Sequence, residues 1–136
     1  MLLLAFDTAT PAITVAVHDG SAVVSEASGE GSMAHGELLA PAIRTALEEA
    51  GASMSDLTDV AVGVGPGPFT GLRVGVVTAL TLGSTLGIAT HGVCTLDVLA
   101  ADPAQRGGAT EEFLVATDAR RKEVYWAHYR ATGERA

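Results

Sequence analysis

Apolar and polar positions divide the chain into short strands and two longer helical stretches. Leu2 to Phe6 is an unbroken apolar run ending at Asp7-Thr8-Ala9-Thr10-Pro11, the pattern of a buried central strand closed by a turn. From Ala12 to His18 the pattern alternates, with Ile13, Val15 and Val17 on one side. Asp19-Gly20 is a hairpin turn signal, so Ala22 to Ser25 is predicted to pair back, completing a meander of three strands. Ser28 to Met33 is small, polar and glycine-rich and reads as a mobile loop. His35 to Ala50 then carries Leu39, Ile43, Ala46, Leu47 and Ala50 on one helical face, with Gly51 as its stop. Pro41 suits only a first turn, which leaves the start of this helix open by a few residues.

Ser55-Asp56-Leu57 reads as a short helical turn and Asp59 to Val64 as a fourth strand. The stretch Val60 to Gly75, VAVGVGPGPFTGLRVG, is a strand, a Gly/Pro loop (Gly63, Gly65, Pro66, Gly67, Pro68) and a helix start, with the aromatic Phe69, Thr70 as N-cap and Arg73 one turn in. Ile88 to Val93 is a fifth strand, and Thr95 to Ala101 a short helix capped by Thr95. Asp102 to Thr110 (DPAQRGGAT) has the composition of a linker. Glu112 to Thr117 and Glu123 to Tyr129 follow as a hairpin joined by Asp118-Ala119-Arg120-Arg121-Lys122. The predicted organisation is a first domain over 1–101, a linker over 102–110, and the opening hairpin of a second domain over 111–136. Two strands cannot bury a core alone, so the second unit looks cut short.

After the loop, Gly71, Gly75, Ala79, Gly83 and Gly87 recur every four residues and share one helical stripe. Each interior glycine costs about 0.5–1 kcal/mol relative to alanine, so the stripe implies close approach by a neighbour. Leu72, Val76, Val77 and Leu80 form a second apolar face. Such a helix is buried on both faces, or buried on one and meets a partner with the other. Val74 to Leu96 holds no charged residue and passes a span criterion of roughly 18–20 residues. Thr78, Thr81, Ser84, Thr85, Thr90 and His91 within it, the stop at Gly87 and the absence of basic flanks favour a soluble packed helix, with no membrane contact.

Charge narrows the function. Net charge is −8, with eleven acids and two bases in 1–105 against five acids and six bases in 106–136. The acidic body is a poor nucleic-acid surface. A single cysteine, Cys94, rules out an internal disulfide and fits a reducing compartment. The apolar start MLLLAF reaches Asp7 without a basic n-region and reads as a strand, so a cytoplasmic location is expected. The loop is no P-loop: the first lysine is Lys122. Nor does it fit GxGxxG, since Pro68 or Thr70 falls where the third glycine belongs.

The order strand-strand-strand-helix-strand-helix-strand predicts an α/β, RNase H-like half of the kind that builds the actin, sugar-kinase and heat-shock ATPase superfamily. Within that frame LAFDTATPAITVAV, HGELLAPAI, VAVGVGPGPFTGLRVG, HGVCTLDVLA and ATDARRKEVYWAHY, in this order, resemble the TsaB (YeaZ) family, older descriptions of which are glycoprotease-like. The resemblance implies a non-catalytic subunit for threonylcarbamoyladenosine modification of tRNA. It would pair with a TsaD-like catalytic subunit, with a TsaE-like ATPase completing the complex, tRNA met indirectly, and homodimers formed through a similar surface. ATP and metal would then sit in the partner subunits, with no cofactor bound directly. TsaD-like proteins carry a His-x-x-x-His metal pair, at whose positions this chain has Thr95 and Leu99. Neither side chain replaces an imidazole on a metal.

The small-residue stripe and the absence of metal ligands place the surface that docks the catalytic subunit on the helices Leu38 to Ala50 and Gly71 to Thr85, with His35, Leu38, Leu39, Ala42, Arg73, Gly75, Val76, Ala79 and Gly83 as its expected residues. The loop Gly65, Pro66, Gly67, Phe69, Thr70 and Gly71 lies beside it, and Asp7 and Thr8 mark a vestigial nucleotide site in which Ala9 replaces a phosphate-loop glycine. Asp7 reads foremost as a strand-end cap. Arg73 meets either an acidic neighbour or a partner carboxylate, and His35 reads as a surface or interface hydrogen-bonder. Arg120, Arg121 and Lys122 read as a solvated turn before a tRNA phosphate contact. Two other classes stay open: an ATP-binding phosphotransferase using Asp7 and the Gly65–Gly71 loop, and a two-metal nuclease, for which only Asp59 and Asp97 could join Asp7.

Overall fold

The computed structural model describes residues 1–30 and 35–136. β1 (Leu3–Asp7), β2 (Ala12–His18) and β3 (Val23–Glu30) form the antiparallel meander that the alternation predicts. Asp19 closes its first hairpin by accepting the Ser21 and Ala22 N–H groups at 2.8 and 2.9 Å, with Gly20 at φ +98°. α1 (His35–Glu49) ends where Gly51 takes φ +67° and the Ala52 N–H reaches back to the Leu47 carbonyl at 3.0 Å. β4 (Asp59–Gly63) runs parallel beside β1, α2 (Phe69–Leu86) crosses back over the sheet, and β5 (Ala89–Val93) pairs parallel with β4. The resulting five-stranded sheet has the order β3-β2-β1-β4-β5, the RNase H-like half that the element order implies. α3 (Thr95–Gln105) follows, and the hairpin β6 (Phe113–Arg120) and β7 (Glu123–Tyr129) packs against it.

One face of the sheet is helix-covered. Leu4 and Phe6 of β1, Ile13 and Val17 of β2, and Val60 and Val62 of β4 meet Leu39, Ile43 and Leu47 of α1 and Ala79 of α2. The opposite face carries small side chains, Ala5, Ala16 and Ala61 around Gly63, which leave a trough of about 530 Å³.

Several boundaries differ from expectation. β3 continues through Ser28 and Gly29, which pair with Thr14 and Ile13 where a loop was expected; Gly31 to Met33 lie outside the described residues. Pro41 sits inside α1 and Pro103 inside α3, so neither breaks its helix. α3 therefore runs on to Gln105, through residues expected to form the first part of a linker. Its last turn is closed by the Asp102–Arg106 ion pair at 2.7 Å and by Gly107 at φ +68°. α2 begins at Phe69 with Pro68 at its N-cap, so Thr70 is not the cap and lies exposed in the first turn.

Candidate functional site

The carboxyl ends of β1 and β4 meet the Gly/Pro loop, and there the side chains are committed to one another. The Asp7 carboxylate accepts the Ala9 N–H at 2.7 Å and the Thr95 hydroxyl at 2.9 Å. Thr95 in turn accepts the Gly65 N–H at 3.1 Å, while its own N–H donates to the Gly65 carbonyl at 2.8 Å. Thr8, fully buried, donates to the Gly71 carbonyl at 2.7 Å and accepts the Gly75 N–H at 3.0 Å. Thr95 was legible only as a helix cap, yet Cys94 occupies the N-cap and the Thr95 hydroxyl ties three segments together.

A nucleotide's phosphates do not fit this arrangement. A Cβ on Gly67 would run into the Ala9 carbonyl, so loop and turn backbones are in direct contact, and one on Gly63 would run into the Asp7 carboxylate, which lies against the β4 backbone. The carboxylate that would organise Mg²⁺ water is already turned toward Ala9 and Thr95. Replacing Thr95 by valine should cost about 2 kcal/mol, because the Gly65 N–H and the Asp7 carboxylate lose a buried partner at once. Urea denaturation of the two proteins checks this.

Beside the latch a cleft of about 420 Å³ runs between the Thr8–Pro11 turn, the start of α2 and the hairpin, where Thr117 and Arg120 line it. His35 borders it rather than facing solvent: it is 6% exposed and its Nε2 lies 2.8 Å from the Thr10 carbonyl.

The helix surfaces sort the expected docking residues. Leu39 and Ala42 lie in the core, and Leu38 is half-buried against it and against Gly29. Gly75, Ala79 and Gly83 are buried against the chain's own sheet: a Cβ on Gly75 would stand 2.7 Å from Thr8 Oγ1, and one on Gly83 would strike Thr90. The small-residue stripe thus serves internal packing, and His35, Leu39 and Ala42 of α1 are likewise buried within the chain, where they were expected on an outward face. What α2 presents outward is the second apolar face. Phe69, Val77 and Leu80 are 74%, 57% and 59% exposed, Val76 is half-buried beside them, and Arg73 is exposed with its guanidinium 5.8 Å from the Phe69 ring centroid. No group of three or more metal-ligating side chains occurs among the described residues, and Asp59 pairs instead with His91 at 3.0 Å.

A third cluster holds the hairpin to α3. Tyr129, fully buried, donates to Asp97 Oδ1 at 2.6 Å, and Arg135 donates through Nε to the same oxygen at 3.2 Å and through Nη2 to Cys94 Sγ at 3.0 Å. The Tyr129 hydroxyl, and after it Arg135, hold the Asp97 carboxyl below its ordinary 3.8 against the opposing effect of burial. Burial first, then Asp97, push the Tyr129 phenol up from 10.0 to about 12. The depressed acid contributes stability that is present above its ordinary value and lost as pH falls through its folded one. The raised phenol contributes stability that is complete below pH 10 and lost as pH rises through about 12. Near-ultraviolet circular dichroism of the docked tyrosine should accordingly be flat from about pH 5 to 9 and collapse at both ends. Asp97→Asn should remove the acid limb, modestly, since the Asp97 side chain is 44% exposed.

Comparison with known proteins places the chain. A family model described as TsaD, tRNA N6-adenosine threonylcarbamoyltransferase, matches residues 28–136. The tRNA threonylcarbamoyladenosine biosynthesis protein TsaB of Escherichia coli is 40% identical over 132 residues, 95% of this chain and 55% of that protein. The solved structure of YeaZ from Pseudomonas aeruginosa superposes with a TM-score of 0.88 at 34% identity, covering 99% of this chain and 63% of that one.

The chain is a TsaB (YeaZ) member of the TsaD family.

An uncharacterized protein of Mycobacterium tuberculosis is 48% identical over 131 residues, 93% of this chain and 58% of that protein. The chain thus spans little more than half the length of these curated relatives. Thr95 is buried and bonded to Asp7, and Leu99, one helical turn on, is 41% exposed and offers no metal-binding atom.

Proposed function

We propose that this chain is a docking subunit for threonylcarbamoyladenosine modification of tRNA: it binds and supports a TsaD-like catalytic enzyme and makes no bonds itself. The outward face of α2 carries the proposal. Phe69, Val77 and Leu80 are large apolar side chains left on a solvated surface, with Arg73 among them. A partner with a matching apolar helix face and a carboxylate opposite Arg73 would cover them. The TsaD-family match supports the choice of partner, since an enzyme built on a similar half offers a comparable pair of helices. A second copy of this chain takes the same face when the enzyme is absent, and a TsaE-like ATPase joins the assembly through the enzyme. ATP, metal and the reacting adenosine belong to the partner subunits, in keeping with the self-satisfied Asp7–Thr95 latch.

The test is reconstitution. A TsaD-like enzyme supplied with tRNA, ATP and the threonylcarbamoyl donor should modify tRNA when this chain is present and stay near background without it. Modification that proceeds equally well in its absence overturns the proposal.

A further inference from the structure

The tip of the β6–β7 hairpin breaks a local rule. Arg120 pairs with Glu123, so Arg121 and Lys122 alone form the loop. Their φ angles are +54° and +63°, and Arg120 before them is at +64°. A two-residue hairpin loop with both φ positive suits Asn-Gly or Asp-Gly, which occupy that region without strain. Here long basic side chains stand in those places. All three residues are exposed, so no packing offsets the conformation. Among the described residues none of the three enters an ion pair, whereas Arg106, Arg130 and Arg135 do. The Asp118 carboxylate accepts the Arg120 N–H at 2.8 Å, which fixes the turn. A rule broken at the surface with no structural return marks a functional position.

Charge indicates the ligand. Residues 1–105 carry eleven acids against two bases, so a polyanion is repelled by the body and admitted only at the hairpin end. Two guanidinium forks and an ammonium on adjacent residues are donors matched to phosphate oxygens. We propose that Arg120, Arg121 and Lys122 form a contact for the phosphodiester backbone of the RNA substrate, holding it while the partner enzyme acts. This rests on the function proposed above, which supplies the RNA. It makes the chain's contact with tRNA direct. Free nucleotide is the other source of the same phosphate chemistry, and Arg120 also lines the neighbouring cleft.

The test is fluorescence anisotropy with a labelled anticodon stem–loop RNA, titrated with the chain alone and with its assembly with the TsaD-like enzyme. The variant is Arg121→Gly with Lys122→Gly, in which glycine occupies both positive-φ positions and so folds without added strain. Loss of two phosphate contacts should weaken RNA binding about tenfold and make the slope of log affinity against log salt shallower by about 1.5. Affinity for the enzyme, measured without RNA, should not change. Unaltered RNA affinity and slope in the variant overturn the inference, as does displacement of the RNA by equimolar Mg·ATP, which assigns the tip to free nucleotide. Should the enzyme fail to bind at all, the function proposed above falls, and the titration of the chain alone still decides the role of the tip.

Discussion

Gly75→Leu should lower the folding free energy by about 3 kcal/mol, read as a shift of the urea midpoint. The position lies where α2 crosses β1, and a Cβ there stands 2.7 Å from Thr8 Oγ1 and 3.5 Å from Val62 Cγ2. Thr8 cannot retreat. Its hydroxyl is held between the Gly71 carbonyl and the Gly75 N–H, and its residue is 1% exposed. A leucine therefore lifts the helix from the sheet and breaks both bonds, an overpacking cost of about 1–3 kcal/mol with roughly 1 kcal/mol more for each lost hydrogen bond. Better helix propensity returns at most about 1 kcal/mol. A variant as stable as the parent would show that the stripe is not pressed against the sheet.

The second large effect concerns binding, with stability left alone. Val77→Glu together with Leu80→Glu should fold with the parent's midpoint, because both side chains are more than half exposed and touch no core cluster. Affinity for the TsaD-like enzyme should fall at least 100-fold, since two carboxylates would be buried without partners in the middle of an apolar contact. Modification of tRNA should fall with it. Titration calorimetry separates this from misfolding, and equal affinity for parent and variant would remove α2 from the docking surface.

The strands, the two hairpins, both long helices and the stops at Gly51 and Gly87 were legible because each depends on neighbours in sequence. The direction of the glycine stripe was not. A four-residue spacing says that Gly75, Ala79 and Gly83 share a face, while what faces them depends on Thr8, 67 residues from its hydrogen-bond partner Gly75. The same spacing made Leu72, Val76, Val77 and Leu80 visible as a second apolar face, and once the glycines turn inward Val77 and Leu80 of that face point out. Thr95 shows the same limit: at a helix start a threonine reads as a cap, but its partner Asp7 is 88 residues away. Asp102 to Thr110 reads as a linker from its composition, yet α3 continues through Pro103 to Gln105. Arg120, Arg121 and Lys122 read as an ordinary charged turn because a sequence does not display φ.

Hydrogen–deuterium exchange on this chain with and without the TsaD-like enzyme tests the central claim most directly. Protection should appear along α2 and the facing turns of α1, with β3 and the bare face of the sheet unchanged. Protection confined to that bare face, or none anywhere on adding saturating enzyme, would contradict docking through α2.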